Sequence, residues 1–250
     1  MVRKTLSLIA FITALAAASG EIRAETISIF KATLAEENAK TGEVSTEQMR
    51  MIMDNNSAII LDTRSRAEFD AGHIPNARNL DAAPSAQLAA VEAVVNGDKT
   101  KALILYCNGP FCQASRRLGE NLAAAGFTNV RRYQLGIPVW RALGGPVEIE
   151  LGGIKRIFKA DQTAVYFDTR PASEFAKGSL PGAINASADD VISGQLKKMA
   201  LPEDDFNRRI VLFGANGAQA RKLADFMGKR PWHNVSYFPG TYDALASALK

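Results

Sequence analysis

Residues 61–77 read LDTRSRAEFDAGHIPNA, and 106 positions later residues 167–183 read FDTRPASEFAKGSLPGA. Eight of the 17 aligned positions are identical with no gap between them: Asp62/Asp168, Thr63/Thr169, Arg64/Arg170, Glu68/Glu174, Phe69/Phe175, Gly72/Gly178, Pro75/Pro181 and Ala77/Ala183. A register held over that many positions indicates duplication. A period near 106 residues is too long for a solenoid repeat and suits a whole small domain. The 250-residue chain therefore reads as two domains of one fold. Each is long enough to bury a core without disulfide staples.

The flanking sequence gives the architecture. In the first copy, Ser45 with Gln48 three residues on is a capping box opening a helix over 45–54. A strand is expected over 58–61, a short helical turn over 64–70 and a helix over 87–95 closed by Asn96-Gly97. Residues 101–106 (KALILY) are the continuous apolar run of a strand buried on both faces of a parallel sheet. A helix over 113–125 closed by Gly126, a strand over 130–133 and a last turn over 140–143 complete the unit. The second copy repeats the order: strand 164–167, helix 188–199, strand 210–213, helix 218–227, strand 235–238, then a closing helix from Tyr242. Alternating strands and helices imply the α/β class, each domain a small parallel sheet flanked by helices. The boundary is expected within 147–155, around Gly152-Gly153. That divides the chain into residues 1–24, 25–150 and 151–250.

Residues 1–24 have the layout of a secretory signal peptide: Arg3 and Lys4, an apolar run over 6–18, then small residues up to Ala24. The apolar run is shorter than the ~20 residues that span a bilayer. Export, most simply to a periplasm, is the expectation, with no membrane segment after cleavage. Removing the leader takes the balance to 27 basic against 25 acidic residues, so the basicity of the whole chain belongs partly to the leader. No basic stripe with interleaved aromatics is present, which argues against a nucleic-acid partner.

One feature separates the halves. Cys107 follows the strand over 101–106, where ligands collect in open α/β sheets. The loop Asn108, Gly109, Pro110, Phe111, Cys112, Gln113 then enters a helix N-terminus. Successive backbone N–H groups and the helix start both favour an anion, hence thiolate over thiol. The second half has Gly214 at this place. The offset between the halves runs from 106 at the D-T-R motif to 107 at Cys107/Gly214 and 105 at Val130/Val235, so the first loop is two residues longer.

With the D-T-R…E-F…G-H-I-P-x-A segment, the strand–Cys–loop–helix and Gly136…Trp140…Gly145-Pro146-Val147, the chain resembles the rhodanese family of sulfurtransferases, twice over nearly its whole mature length. The resemblance implies tandem rhodanese-like domains, the second lacking the nucleophile. It also implies chemistry in which Cys107 accepts a sulfane sulfur, from a donor such as thiosulfate, as a persulfide cradled by residues 108–113 and passes it to cyanide or a thiol. No cofactor or metal is implied. Arg116 and Arg117, a turn into the helix, are the candidate cations for an anionic substrate or simply solvated helix residues. Cys112 fills space in the loop or serves as a resolving, redox-active partner of Cys107. That leaves two other functions open: a thiol–disulfide or sulfur-relay protein using both cysteines, with a redox protein as partner, and a non-catalytic binding module. A phosphatase would need an arginine at the loop's end, where Gln113 stands. His73 corresponds to Ser179, and Asp62 and Arg64 recur in the half without a nucleophile, so all three read as structural. Trp140 and Trp232 read as packing residues.

Overall fold

The computed structural model describes residues 28–194, 202 and 204–250. The expected leader, and residues 195–199 of the helix expected over 188–199, lie outside them. After a 3-10 turn at Ile29–Lys31 the first unit runs β1 (Gly42–Glu43), α1 (Thr46–Asn55), β2 (Ile59–Asp62), α2 (Arg66–Ala71), β3 (Arg78–Asn79), α3 (Gln87–Val94), β4 (Leu103–Tyr106), α4 (Ala114–Ala124), β5 (Val130–Tyr133) and α5 (Gly136–Ala142). The second runs α6 (Leu151–Ala160), β6 (Val165–Asp168), α7 (Ala172–Phe175), β7 (Ile184–Asn185), α8 (Ala188–Ile192), β8 (Ile210–Phe213), α9 (Gly217–Met227), β9 (Val235–Tyr237) and α10 (Tyr242–Ala248). The sheets are ordered β1-β5-β4-β2-β3 and β7-β6-β8-β9, and every pairing is parallel. The chain is thus two α/β units, each a parallel sheet flanked by helices.

β4 explains why its sequence is apolar without alternation. Leu103 and Leu105 join one core with Leu118, Leu122 and Phe127, while Ile104 and Tyr106 join the core on the other face with Met49, Ile52 and Trp140. β8 repeats the division, Ile210 and Leu212 on one side, Val211 and Phe213 on the other. Successive side chains point to opposite faces, so a strand covered on both sides must be apolar at every position.

The D-T-R motif builds the same brace in both halves. Arg64 donates from Nε and Nη2 to Asp62 and from Nη2 to Gly72 O at 2.8 Å; Arg170 does the same with Asp168 and with Gly178 O at 2.7 Å. Thr63 and Thr169 donate their hydroxyls to the carbonyls of Tyr106 and Phe213, each 3.0 Å away. The hydroxyl donor to the aspartate differs. In the first half it is the Tyr106 hydroxyl, 2.6 Å from Asp62; in the second, Phe213 has no hydroxyl and Ser179 supplies one, 2.7 Å from Asp168. A buried carboxylate left short of donors is costly, so the loss at one position is met from the other.

With Ser179's counterpart relieved of that task, His73 serves the junction between the units. Its ring stacks on Phe69 with centroids 3.7 Å apart, and Nε2 lies 3.2 Å from Glu148 Oε2. Backbone bonds at 2.9 Å link His73 and Glu148 in both directions, and the same connecting segment bonds Tyr237 on its other side. The expected boundary, 147–155 around Gly152-Gly153, takes in the connecting segment and the first turn of α6. These glycines are needed because α6 packs on α2, and a Cβ at Gly153 would collide with the backbone of Asp70. Small residues there allow close approach, so the pair also seats a helix contact. The turn expected over 140–143 likewise begins earlier, at Gly136, whose φ of +67° suits glycine.

Candidate functional site

Cys107 lies directly after β4, between β2 and β5. It is 5% exposed. Its loop is shaped by two glycines in positive φ: Gly109 at +108°, and Gly136, on which a Cβ would collide with Gly109 N and press on Cys107 O. Ile137 N donates to Cys107 O at 3.2 Å, and Cys112 N to Gly109 O at 3.0 Å, folding the loop back on itself. Cys112 is thereby brought onto Cys107, and their sulfurs are joined in a disulfide with the Cα atoms 6.2 Å apart. That spacing is ordinary for a disulfide. The sequence left Cys112 open between filler and redox partner; the structure brings the two sulfurs together.

The loop is held by a relay of buried polar groups. Arg132 is 0% exposed although it bears a charge. Its guanidinium donates to Glu36 at 2.7 Å, to Thr41 at 2.9 Å and to Gln134 Oε1 at 2.7 Å. Because Arg132 can only donate, it fixes which end of the Gln134 amide faces it. The other end, Nε2, then donates to the carbonyls of Pro110 (3.2 Å) and Cys112 (3.3 Å). Two of the loop's carbonyls are thus held by one side chain. On the far side Asn108 Nδ2 donates to Glu68 at 2.5 Å, and that bond, with those from Ser65, holds the Glu68 carboxyl below the usual carboxylate range. Ser65 and Glu68 form a reciprocal capping box on α2.

The two units differ at the helix that follows. No side chain caps α4. In α9 Asn216 accepts from Gln219 N at 3.0 Å, while Gln219 Oε1 accepts from Ala215 N at 2.9 Å. A side chain at Gly214 would run into Thr169 and Gln219. The amides that remain open in the first loop are thus occupied by the protein's own side chains in the second. Open N–H groups at a helix start favour an anion.

The remaining expected residues fall as follows. Arg116 lies 3.2 Å from Glu120 along α4 and Arg117 is exposed on the same turn. Gln113 and Asn108 are exposed, and Phe111 is 95% exposed beside Cys112. Trp140 is wholly buried, edge-on to Tyr133, with its indole N–H donating to Pro146 O; Trp232 is buried and donates to Pro202 O. Sequence reading did not single out Arg132, Gln134 or Glu68 as parts of the site. It also missed Arg141, which donates to Asn234 of the second unit at 3.1 Å. Burial, and then the like charges of Arg64 and Arg209, lower the Arg141 pKa to about 10. Glu68, Arg141 and Arg209 line one crevice between the units.

The sequence pattern of the family described as Rhodanese-like domain matches residues 45–143 and again 154–248. An HTH-type transcriptional regulator of Mycobacterium tuberculosis is 35% identical over 89 residues, covering 36% of this chain and 37% of that protein. A tRNA uridine(34) hydroxylase of Photorhabdus laumondii subsp. laumondii is 33% identical over 106 residues, 40% of this chain and 28% of that one. The chain spans less than two fifths of the length of either relative. Among solved structures, a thiosulfate sulfurtransferase from Pseudomonas aeruginosa superposes with a TM-score of 0.37 at 19% identity, over 82% of this chain and 44% of that one.

Proposed function

The chain belongs to the rhodanese-like domain family, with two copies in tandem, and from that premise we propose that it is a sulfurtransferase whose first domain carries the transferred sulfur on Cys107. The observation that carries this reading is the contrast between the two strand ends: a cysteine before an uncapped helix in one, a glycine before a capped and filled loop in the other. The second domain acts as a scaffold, tied to the first through His73, Glu148 and Tyr237.

In the reduced protein the Cys107 thiolate attacks the outer sulfur of a donor such as thiosulfate. The sulfur–sulfur bond of the donor breaks, sulfite leaves with the electron pair, and a persulfide remains on Cys107. Cyanide or a thiol then takes the outer sulfur and returns the thiolate. Loop amides and the start of α4 stabilise the negative sulfur in both steps. Arg117, exposed on the first turn of α4, and Arg116, shared with Glu120, are the side chains placed to draw in an anionic donor. The proposal includes export: the layout of residues 1–24 would direct the protein to an oxidising compartment, where a Cys107–Cys112 disulfide persists.

The test is thiocyanate formation from thiosulfate and cyanide by the pre-reduced full-length mature protein. Cys107→Ser is expected to abolish it and Cys112→Ser to retain it. Equal rates for wild type and Cys107→Ser overturn the reading.

A further inference from the structure

We propose that Cys112 is the internal acceptor for the Cys107 persulfide, so that the protein releases the sulfane sulfur as sulfide and ends each turnover as the Cys107–Cys112 disulfide, with a thiol as the second substrate that reopens it. The inference rests on the sulfurtransferase reading of Cys107 and extends it to a different product and a different co-substrate class.

The geometry supplies the reason. A persulfide has two sulfurs that a thiolate can attack. Attack at the outer one transfers sulfur; attack at the inner one, Cys107 Sγ, forms a disulfide and expels hydrosulfide. Cys112 Sγ is the sulfur that the folded loop brings into bonding reach of Cys107 Sγ. It is held there by more than sequence proximity. The Gly109–Cys112 turn closes the loop, and Gln134, oriented by the buried Arg132, holds the carbonyls of Pro110 and Cys112. A reacting group fixed in this way competes with an external acceptor at a large effective concentration. The second domain lacks every part of the device: Gly214 replaces the nucleophile, the loop is two residues shorter, and no cysteine follows.

The chemistry balances without an external oxidant. The Cys112 thiolate bonds to Cys107 Sγ, the bond between Cys107 Sγ and the outer sulfur breaks, and that sulfur departs with the electron pair as hydrosulfide, so the sulfane sulfur is reduced as the two cysteines are oxidised. A thiol then restores the dithiol. Cys107 is 5% exposed, whereas Cys112 is partly exposed between exposed Phe111 and Gln113, so the incoming thiolate attacks Cys112 Sγ and Cys107 leaves as thiolate beside the open N–H groups of α4. A second thiol group attacks the sulfur of the first, releases Cys112, and the reductant departs as its own disulfide.

The test is a single turnover of the mature protein, reduced, freed of reductant without oxygen, and mixed with an equimolar amount of thiosulfate in the absence of cyanide or added thiol. Wild type is expected to release sulfite and an equal amount of sulfide and to lose both titratable thiols. Cys112→Ser is expected to release sulfite alone and keep a Cys107 persulfide that cyanide then discharges as thiocyanate. Wild type that releases sulfite but no sulfide, keeping a persulfide and a free Cys112 thiol, overturns the inference and leaves the sulfurtransferase reading standing. No sulfite from either protein overturns that reading instead.

Discussion

The side-chain amide of Gln134 donates to the carbonyl oxygen of Cys112 at 3.3 Å, and Arg132, donating to the amide's oxygen at 2.7 Å, holds it in that orientation. The position of the second cysteine thus depends on a charged residue buried on β5, one strand in from the sheet edge. That arrangement makes the loop's reactivity sensitive to groups that touch neither sulfur.

Gln134→Leu removes the amide that gathers the loop carbonyls and leaves the Arg132 guanidinium short of an acceptor. Stability should fall by ~1–3 kcal/mol, the usual cost of a buried polar group without its partner. Released sulfide in a single turnover should fall relative to released sulfite, because Cys112 is no longer held on Cys107. Denaturant unfolding reads the first effect and product stoichiometry the second.

Arg132→Met tests the buried charge. Removing the guanidinium takes from partly exposed Glu36 its arginine partner and leaves Gln134 Oε1 only the weaker contact with Ser115, at an expected cost of ~1–3 kcal/mol. The double variant Arg132→Met with Glu36→Gln should recover part of that loss. A double-mutant cycle with no coupling between the two positions would show that the contact at 2.7 Å contributes nothing.

Glu148 gives the acid dependence of the contact between the domains. Burial raises its pKa, but hydrogen bonds from His73 and Tyr237 outweigh burial and leave it below the ordinary glutamate value. A carboxyl whose folded pKa is depressed adds stability above its unfolded pKa, ~4.3, and that contribution is lost as pH falls through the lower folded value. The wild type should therefore lose stability on acidification below about pH 4.3, and Glu148→Gln should be less stable at neutral pH with a shallower acid limb. Thermal melts of both proteins from neutral pH downward measure this.

Tyr106→Phe and Ser179→Ala remove equivalent donors from Asp62 and Asp168. Each is expected to cost ~1–3 kcal/mol. In Ser179→Ala, adding Phe213→Tyr should restore part of the loss by transplanting the first domain's solution.

Gly136→Ala should destabilise the first domain by ~1–3 kcal/mol through overpacking against Gly109 and Cys107. Because the collision falls on the loop itself, thiocyanate formation should drop further than the folded fraction does. Activity that tracks the folded fraction alone would detach Gly136 from the loop's chemistry.

Much of this could be read from the chain before any coordinates. The repeat of Asp62, Thr63 and Arg64 at Asp168, Thr169 and Arg170 announced two copies of one unit, and the arginine's share of the brace, from aspartate to glycine carbonyl, closes within ten residues in each copy. The run over 101–106 announced a strand covered on both faces. The capping box at Ser45 placed the start of α1. Gly152-Gly153 marked only the neighbourhood of the boundary: a glycine pair carries the same letters whether it joins two units or lets a helix press against its neighbour. Only the packing of α6 on α2 distinguishes the two.

Periodicity, caps and a duplicated motif are short-range properties, so the sequence by itself determined the α/β class, the duplication and the place of Cys107 at a strand end. The tertiary structure decided what stands around that cysteine. Glu36 and Arg132 are 96 residues apart, His73 and Glu148 75, Asn108 and Glu68 40, and nothing in the spelling of either member of a pair names its partner. The fate of Cys112 belongs to the same class. Its spacing from Cys107 is compatible with filler or with a disulfide, and the choice was made by Gln134 and Gly136, which fold the loop until the two sulfurs meet.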